Sequence, residues 1–175
     1  MNARSLTEEI ESHKSDNQPS QLSKSYKKYL IFTLDQLQYG FPLSKIKEVI
    51  GYNKITEVPQ VPSFFKGIIN LRGRIISIVD LRVKLGQKAR EWEPKKTCII
   101  ITETDDLTIG AIVDTVDEVM GVNENEICDK LELSTNIDRS FITGVTNTGD
   151  DSVVLFLSLE KLFSRDELKI LSSKN

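Results

Sequence analysis

Few residues in this sequence combine the types and the spacing that chemistry requires. The single histidine, His13, lies in a polar stretch that is predicted to be disordered, where nothing would hold it against a nucleophile or a metal. Cys98 stands in the apolar run TCIIIT and is interpreted as a small buried hydrophobe, and Cys128 has no base to activate it. The chain contains neither a phosphate-binding glycine loop nor a nucleophile elbow. We therefore predict no catalytic residue, no metal site and no cofactor.

Carboxylates are the most plentiful reactive groups in the chain. Asp114, Asp117 and Glu118 cluster in one element, and pairs of aspartates stand at 105–106 and 150–151. Turn formation and solvated surface explain such positions better than catalysis does, and we interpret all of them in that way. The chain has 23 basic and 26 acidic residues and a net charge of −3. This acidic balance argues against a nucleic-acid partner.

One arginine stands in an unusual setting. Residues 66–82 read KGIINLRGRIISIVDLR, in which the residues Asn70-Leu71-Arg72-Gly73 separate two apolar runs. The pattern predicts a β-hairpin with its turn at these four residues. Two interpretations of Arg72 are open at this point. It is either a solvent-facing turn residue paired with a carboxylate, which would contribute little energy, or a contact for a binding partner.

The elements that must position this hairpin begin after residue 27. Residues 1–27 are almost wholly polar and are predicted to form a disordered tail, because they cannot bury enough apolar surface to offset the entropy of ordering. The runs YLIFTL, TCIIIT and SVVLFL predict strands. Leu43–Ile50 has both helical and alternating spacing, although its β-branched residues favour a strand. Ser164 and Glu167 have the spacing of a capping box and predict a helix over 164–175.

The sequence repeats itself once. YGFPLSKIKEVIG (39–51) aligns with IGAIVDTVDEVMG (109–121), and the hairpin start GIIN is matched by GVTN. The alignment pairs Gly40 with Gly110, Glu48 with Glu118, and Gly51 with Gly121. We interpret these glycines as turns or close backbone approaches. Blocks that match in the same order indicate an internal duplication, and such small units rich in short strands predict two barrels that share a core.

The repeat also bears on Arg72. The equivalent hairpin reads GVTNTGDDSVVLFLSL, which keeps the glycine and the asparagine but lacks the Leu-Arg pair. The turn therefore requires the shared residues and does not require the arginine. This difference favours a binding role for Arg72.

At this point the residues resemble a known family. GIINLRGRIISIVDLR is similar to the signature G-x-x-N-L-R-G-x-[IV]-x-P-[IV]-x-D-L-R of the CheW-like domain family of chemotaxis coupling proteins. The resemblance extends over about residues 28–170. The chain departs from the family at Ser77, where a proline is typical, and over 127–140, where the usual loop contains proline. Ser77 would either loosen the second strand of the hairpin or allow an extra ladder hydrogen bond.

The resemblance implies a mainly β fold of two intertwined five-stranded SH3-like β-barrels with a C-terminal α-helix. The barrels would cover about 28–95 and 96–163, with strand exchange between them left open, and the helix 164–175 would follow. It also implies that Leu43–Ile50 is chiefly strand.

The implied function is that of a non-catalytic adaptor. Family members couple the cytoplasmic tips of chemoreceptors to the regulatory domain of the histidine kinase CheA and build receptor–kinase arrays. The chain would then be cytoplasmic and reach the membrane only through receptors, in keeping with the absence of a secretory leader or membrane-spanning run in the sequence. A coupling protein of a related surface-motility pathway is the alternative that the sequence leaves open.

Site residues also follow from the resemblance. Receptor binding is expected at residues of both repeats and of the hairpin: Ile46, Glu48, Val49, Asn70, Arg72, Gly73, Val116 and Val119. An ion pair between Arg72 and Glu48 is expected to orient the hairpin. Kinase contacts are expected on the barrel ends at Ile127, Leu131 and Leu133.

Overall fold

Runs of β-branched and aromatic residues form the strands that dominate the fold. The computed structural model describes residues 26–104, 107–128, 137–149 and 152–173. The first half contributes β1 (Tyr26–Leu34), β2 (Leu37–Pro42), β3 (Ile46–Gly51), β4 (Phe65–Leu71), β5 (Arg74–Asp80) and α1 (Leu81–Lys84). The second contributes β6 (Cys98–Glu103), β7 (Thr108–Val113), β8 (Thr115–Asn123), β9 (Ile142–Gly149), β10 (Ser152–Leu157), α2 (Leu159–Leu162) and α3 (Arg165–Ser172). The mainly β prediction is confirmed.

The strands form two five-stranded sheets with the same order. The first sheet runs β8-β1-β2-β10-β9 and the second runs β3-β6-β7-β5-β4. Adding five to each strand number, and counting on from β10 to β1, converts the first order into the second. The duplication in the sequence is therefore matched by a duplication in topology. Each sheet combines strands from 28–95 with strands from 96–163, because each half donates its first two strands to the sheet that holds its partner's last three. Closure of each sheet into a barrel stays a prediction.

The structure differs from the sequence prediction at several boundaries. Tyr26 and Lys27, which the predicted tail included, begin β1, and residues 1–25 lie outside the described residues. Leu43–Lys45 is a 3₁₀ turn, and the strand begins only at Ile46. No helix among the described residues is long and apolar enough to span a membrane.

Central strands are buried on both faces, which explains their nearly continuous apolar runs. Leu30 and Phe32 on β1 and Ile100 on β6 face a core that both sheets share. The adjacent residues in sequence, Ile31 on β1 and Ile99 on β6, point the other way. Each of them packs in a smaller cluster that belongs to its own sheet. The two sheets are thus joined by one common core and are each stabilised by a smaller one.

Two equivalent glycines allow strands to pack closely. A Cβ atom on Gly40 of β2 would lie 2.7 Å from Phe156 Cδ1, and one on Gly110 of β7 would lie 2.5 Å from Ile78 Cδ1. Cβ atoms in folded proteins essentially never lie this close to another heavy atom, so the neighbouring side chain would have to shift. The prediction that these glycines mark close approaches is confirmed at both positions.

In each half a short capped helix follows the last strand, and the sequence pattern did not predict it. The side chain of Asp80 accepts a hydrogen bond from the Val83 amide and begins α1, and Ser158 accepts one from the Lys161 amide and begins α2. Leu81 and Leu159 therefore begin helical turns and do not belong to the strands that precede them. Four residues are too short for a helical period to show against a strand pattern.

The C-terminal helix α3 begins with the predicted capping box of Ser164 and Glu167. It is held to the first half of the chain. Lys84 Nζ lies 2.6 Å from Glu167 Oε1, and the Ser77 hydroxyl donates a 2.8 Å hydrogen bond to the carbonyl of Leu171. The departure from proline at Ser77 therefore provides a bond to the helix, which neither of the two expectations for this residue had anticipated.

Candidate functional site

The hairpin at Arg72 is a tight two-residue turn. Leu71 pairs with Arg74 in the antiparallel ladder, which leaves only Arg72 and Gly73 in the loop. Their φ angles are 52° and 85°, as a hairpin turn of the primed class requires. The side-chain oxygen of Asn70 accepts a 2.9 Å hydrogen bond from the Gly73 amide and fixes the turn. Asparagine and glycine are therefore needed for the geometry.

Arg72 makes a two-pronged ion pair with a carboxylate on another strand. Its Nη1 and Nη2 donate to Glu48 Oε1 and Oε2 at 3.2 and 2.9 Å. The expected Arg72–Glu48 pair is confirmed. The arginine side chain is still 78% exposed, whereas Glu48 is only 16% exposed. The carboxylate thus holds the guanidinium in place without covering it.

The backbone of Arg72 is strained for a residue of its type. A non-glycine side chain in the left-handed region is disfavoured by about 1 kcal/mol or more. Asparagine or glycine would occupy this position at lower cost. An arginine kept there, exposed and held by a partner, has the character of a contact residue rather than of a turn former.

The ion pair also brings together the two outer strands of the second sheet. Glu48 lies on β3 and Arg72 follows β4, and these strands stand at opposite edges of the five-stranded order. In a flat sheet they would be roughly 19 Å apart, beyond the reach of the two side chains. The sheet must therefore curl so that its edges approach, and the hairpin tip lies beside β3.

The other residues expected at the receptor site are placed differently. Ile46, Val49 and Val116 are buried in the core that both sheets share. Val119 on β8 is half-buried and packs against the same core. These four residues support the strands from beneath, and the surface itself is made by Asn70, Arg72 and Gly73 with Glu48 at its margin.

Of the residues expected to contact the kinase, only Ile127 can be placed. It is half-buried and packs on the cluster that contains Tyr29 and Val122. Leu131 and Leu133 lie outside the described residues.

Reactive groups show no sign of a catalytic centre. Within the described ranges no group of three or more His, Cys, Asp or Glu side chains is arranged to hold a metal ion. Burial raises the pKa of the Cys98 thiol, which disfavours the reactive thiolate. The residue is only half-buried, not fully enclosed as its apolar run had suggested.

The sequence interpretation missed a polar network around Asp114. This aspartate had been assigned to a solvated face, but it accepts a hydrogen bond from Arg82, which is only 2% exposed, and its other oxygen lies 2.6 Å from Arg90 Nη2. Arg90 also reaches Asp35, and the Arg82 guanidinium lies 4.8 Å from the ring centre of Trp92. Burial, with a smaller effect of Arg90, lowers the pKa of Arg82. The sequence did contain one indication of this network, which is Arg82 at the end of the apolar run IISIVDLR.

Comparison with known proteins agrees with this geometry. The CheW-like domain matches residues 28–167. The chemotaxis protein CheW of Klebsiella aerogenes is 32% identical over 145 residues, which cover 83% of this chain and 86% of that protein. CheW of Thermotoga maritima is 34% identical over 143 residues, covering 80% and 89%.

A solved structure is also similar. The crystal structure of the scaffolding protein TtCheW from Thermoanaerobacter tengcongensis aligns with a TM-score of 0.72 and 37% identity, over 81% of this chain and 94% of that one. Sequence, topology and structural likeness therefore agree over most of the chain. The chain belongs to the CheW-like domain family and is a non-catalytic scaffolding protein of chemotaxis.

Proposed function

We propose that this chain couples the cytoplasmic tips of chemoreceptors to the regulatory domain of the histidine kinase CheA. The observation that carries this proposal is the Arg72–Glu48 pair, which holds an exposed arginine at the tip of a strained hairpin. Family membership supports the chemotaxis setting. The protein would act in the cytoplasm, on arrays assembled at membrane receptors.

The receptor arm would use the hairpin tip as a rigid contact. A guanidinium carries five N–H donors, and the two bonds to Glu48 leave others directed at solvent on a side chain that is largely exposed. A receptor segment that presents carbonyl or carboxylate oxygens would meet these donors without first having to order them. Asn70 and Gly73 would shape the contact surface around the arginine.

The buried residues would serve the same site indirectly. Ile46 and Val49 anchor β3, which carries Glu48, and Val116 and Val119 anchor β8 on the shared core. We propose that they hold the contact surface in place rather than touch the receptor. The kinase arm would use a separate surface, at Ile127, Leu131 and Leu133.

Co-sedimentation tests both arms. The chain is mixed with a receptor cytoplasmic fragment and with the CheA regulatory domain, and a ternary complex is expected. Arg72→Glu places a second carboxylate beside Glu48, and we expect it to weaken receptor binding roughly tenfold or more while kinase binding is unchanged. The melting temperature should stay within a few degrees, because an exposed ion pair contributes little stability.

Arg74→Glu is the matched control. It lies two residues further along the same hairpin, is exposed, and changes the net charge by the same amount. Equal losses in both variants would mean that only overall charge matters, and unfolding of Arg72→Glu would mean that the arginine is structural. The swap Glu48→Arg with Arg72→Glu should restore part of the hairpin order but not receptor binding.

A further inference from the structure

A hollow of about 140 Å³ opens beside the C-terminal helices of the second half. Its walls are apolar and are formed by Leu107, Ile109, Leu159, Phe163 and Leu168. Thr104 and Glu160 supply the polar groups at its rim. The hollow lies away from the Arg72 hairpin in the sequence and shares no residue with it.

The first half has larger or differently charged residues at two of the corresponding positions. In the alignment of the repeats, Ile109 corresponds to Tyr39, and Glu160 corresponds to Arg82. The ring of Tyr39 is fully buried there, and its hydroxyl oxygen accepts a 3.0 Å hydrogen bond from Gln87 Nε2. The segment after α1 also brings Trp92 over Arg82. The first half thus has a buried aromatic ring at the position where the second half has the smaller Ile109 beside the hollow.

The size and the charge of the hollow define what it would accept. A cavity of about 150 Å³ lined by aliphatic and aromatic side chains is known to hold a benzene ring, so this hollow has room for one aromatic side chain. Glu160 at the rim is 55% exposed and lies 2.9 Å from Lys45 Nζ. The hydrogen bond from Lys45 lowers the pKa of Glu160, so the rim carries a carboxylate at neutral pH.

We propose that this hollow docks a segment of a partner protein in which an aromatic side chain stands next to a lysine or arginine. The aromatic ring would lie beside Ile109, at the position where the first half has Tyr39, and the basic side chain would approach the Glu160 carboxylate. One carboxylate can serve two cations in this fold, because Asp114 already receives both Arg82 and Arg90. The proposal does not depend on the receptor or kinase roles of the chain.

Methyl NMR of the full chain with capped dipeptides tests the proposal directly. N-acetyl-phenylalanyl-lysine amide should give saturable shifts at the methyl groups of Leu107, Ile109 and Leu168, with a Kd on the order of millimolar. The phenylalanyl-glutamate dipeptide should bind roughly threefold more weakly, as expected for one exposed charge contact. The alanyl-lysine dipeptide should give no saturable shift, because it lacks the ring.

Variants separate the apolar and the charged parts of the site. Ile109→Tyr places in the second half the aromatic residue that the first half has at the corresponding position, and it should abolish binding of the phenylalanyl-lysine probe. Leu168→Trp fills the hollow from the helix side and gives the same test if Ile109→Tyr does not fold. Glu160→Gln should remove the preference for lysine over glutamate. Leu37→Tyr is the control, an exposed site in the first half that should leave binding unchanged.

Several results would overturn the proposal. They are the absence of saturable shifts, equal binding of the alanyl-lysine probe, or binding that persists in both Ile109→Tyr and Leu168→Trp. Shifts that depend on protein concentration without any probe, and that disappear in Ile109→Tyr, would mean that a second copy fills the hollow. Shifts in the free chain that already match the bound ones would mean that the chain fills it by itself.

Discussion

The β4–β5 and β9–β10 hairpins occupy equivalent places in the two halves but differ in the residues that follow the asparagine. In both, an asparagine oxygen accepts a hydrogen bond from a turn glycine: Asn70 from the Gly73 amide and Asn147 from the Gly149 amide, each at 2.9 Å. Two residues after the asparagine, however, the first hairpin has Arg72 and the second has Gly149, and both have positive φ. The two hairpins thus share an asparagine–glycine hydrogen bond but not the turn itself, because Gly149 pairs with Ser152 in the ladder whereas Arg72 lies in the loop between the paired Leu71 and Arg74.

This difference separates what the fold requires from what the first hairpin adds. Glycine adopts a positive φ at no steric cost, so the positive φ of Gly149 causes no strain. The arginine in the first tip is kept against its backbone preference and is held by Glu48. Its equivalent on β8, Glu118, is exposed. Of the described non-glycine residues with positive φ, which are Asp35, Gln36, Gln60 and Arg72, only Arg72 is a cation.

A second contrast lies behind the hairpins, at the short helices α1 and α2. The second residue of each helix makes an ion pair with a residue of the other half. That partner lies just before β8 in one case and just before β3 in the other. The pairs are Arg82–Asp114 and Glu160–Lys45, with the charges reversed. The first is almost fully buried and joined by Arg90, whereas the second is largely exposed. Equivalent contacts should therefore have unequal energies.

Breaking these two pairs should give the largest difference between the halves. Asp114→Ala leaves the buried Arg82 guanidinium without its carboxylate, and we expect a loss of about 3–5 kcal/mol in the free energy of unfolding. Lys45→Ala at the exposed pair should cost less than about 1 kcal/mol. Urea unfolding of both variants measures the contrast. Similar losses would show that burial does not distinguish the pairs.

The next contrast concerns Ser77, whose equivalent on β10 is the buried Leu155. Only the first half uses this position to hold the C-terminal helix. Ser77→Ala should lower the free energy of unfolding by about 1–2 kcal/mol, because the buried carbonyl of Leu171 loses its donor. Amide hydrogen exchange in α3 should accelerate at the same time.

Ser172→Ala is a suitable control for that measurement. Its hydroxyl donates only to carbonyls within the same helix and is exposed, so its loss should change stability by less than about 0.5 kcal/mol. If Ser77→Ala leaves α3 exchange unchanged, the hydrogen bond does not fasten the helix.

Substitutions at Arg72 and Gly149 should change the free energy of unfolding in opposite directions. Arg72→Asn relieves the left-handed strain and should raise the free energy of unfolding by about 0.5–1 kcal/mol while weakening receptor binding. Gly149→Ala should lower it by about 1 kcal/mol through backbone strain alone, because its Cβ would meet no atom within 4 Å. Thermal unfolding compares them. A loss of stability in Arg72→Asn would show that the Glu48 pair outweighs the strain.

Local features of this fold were readable from the sequence. The capping box of Ser164 and Glu167 and the strands with β-branched runs depend on neighbouring residues and were predicted. Glu48 and Arg72 were paired through the family resemblance. The topology was less accessible, because β1 pairs with β8 across a long stretch of chain and periodicity does not report a partner.

The missed features have the same physical origin. Arg82 and Asp114 are 32 positions apart, and nothing local marks the aspartate as buried. Ile46, Val49 and Val116 were expected at the receptor site from the family resemblance, and a resemblance does not report how deeply a residue is buried. In this fold the strands have a core on both sides, so alternation assigns a residue to one core or the other instead of to solvent.

The smallest predicted contrast concerns the caps of α1 and α2. Asp80 is fully buried, and burial raises the pKa of its carboxyl, against the effects of the Val83 amide and of Lys66. The folded protein therefore holds this proton to a higher pH than the unfolded chain does. The stability contributed by protonated Asp80 is complete below its ordinary pKa of 3.8 and is lost as the pH rises through the raised value. The cap of α2 is Ser158, which does not titrate.

Asp80→Asn isolates this effect, because the amide oxygen can still accept from the Val83 amide while the charge is gone. The free energy of unfolding of the native chain, relative to this variant, should fall by on the order of 1 kcal/mol or less between pH 3 and pH 7. Ser158→Ala should cost about 1 kcal/mol equally at all pH values, since it removes a neutral cap. A difference between native and Asp80→Asn that rises with pH would mean that Lys66 and the helix amides stabilise the carboxylate more than burial penalises it.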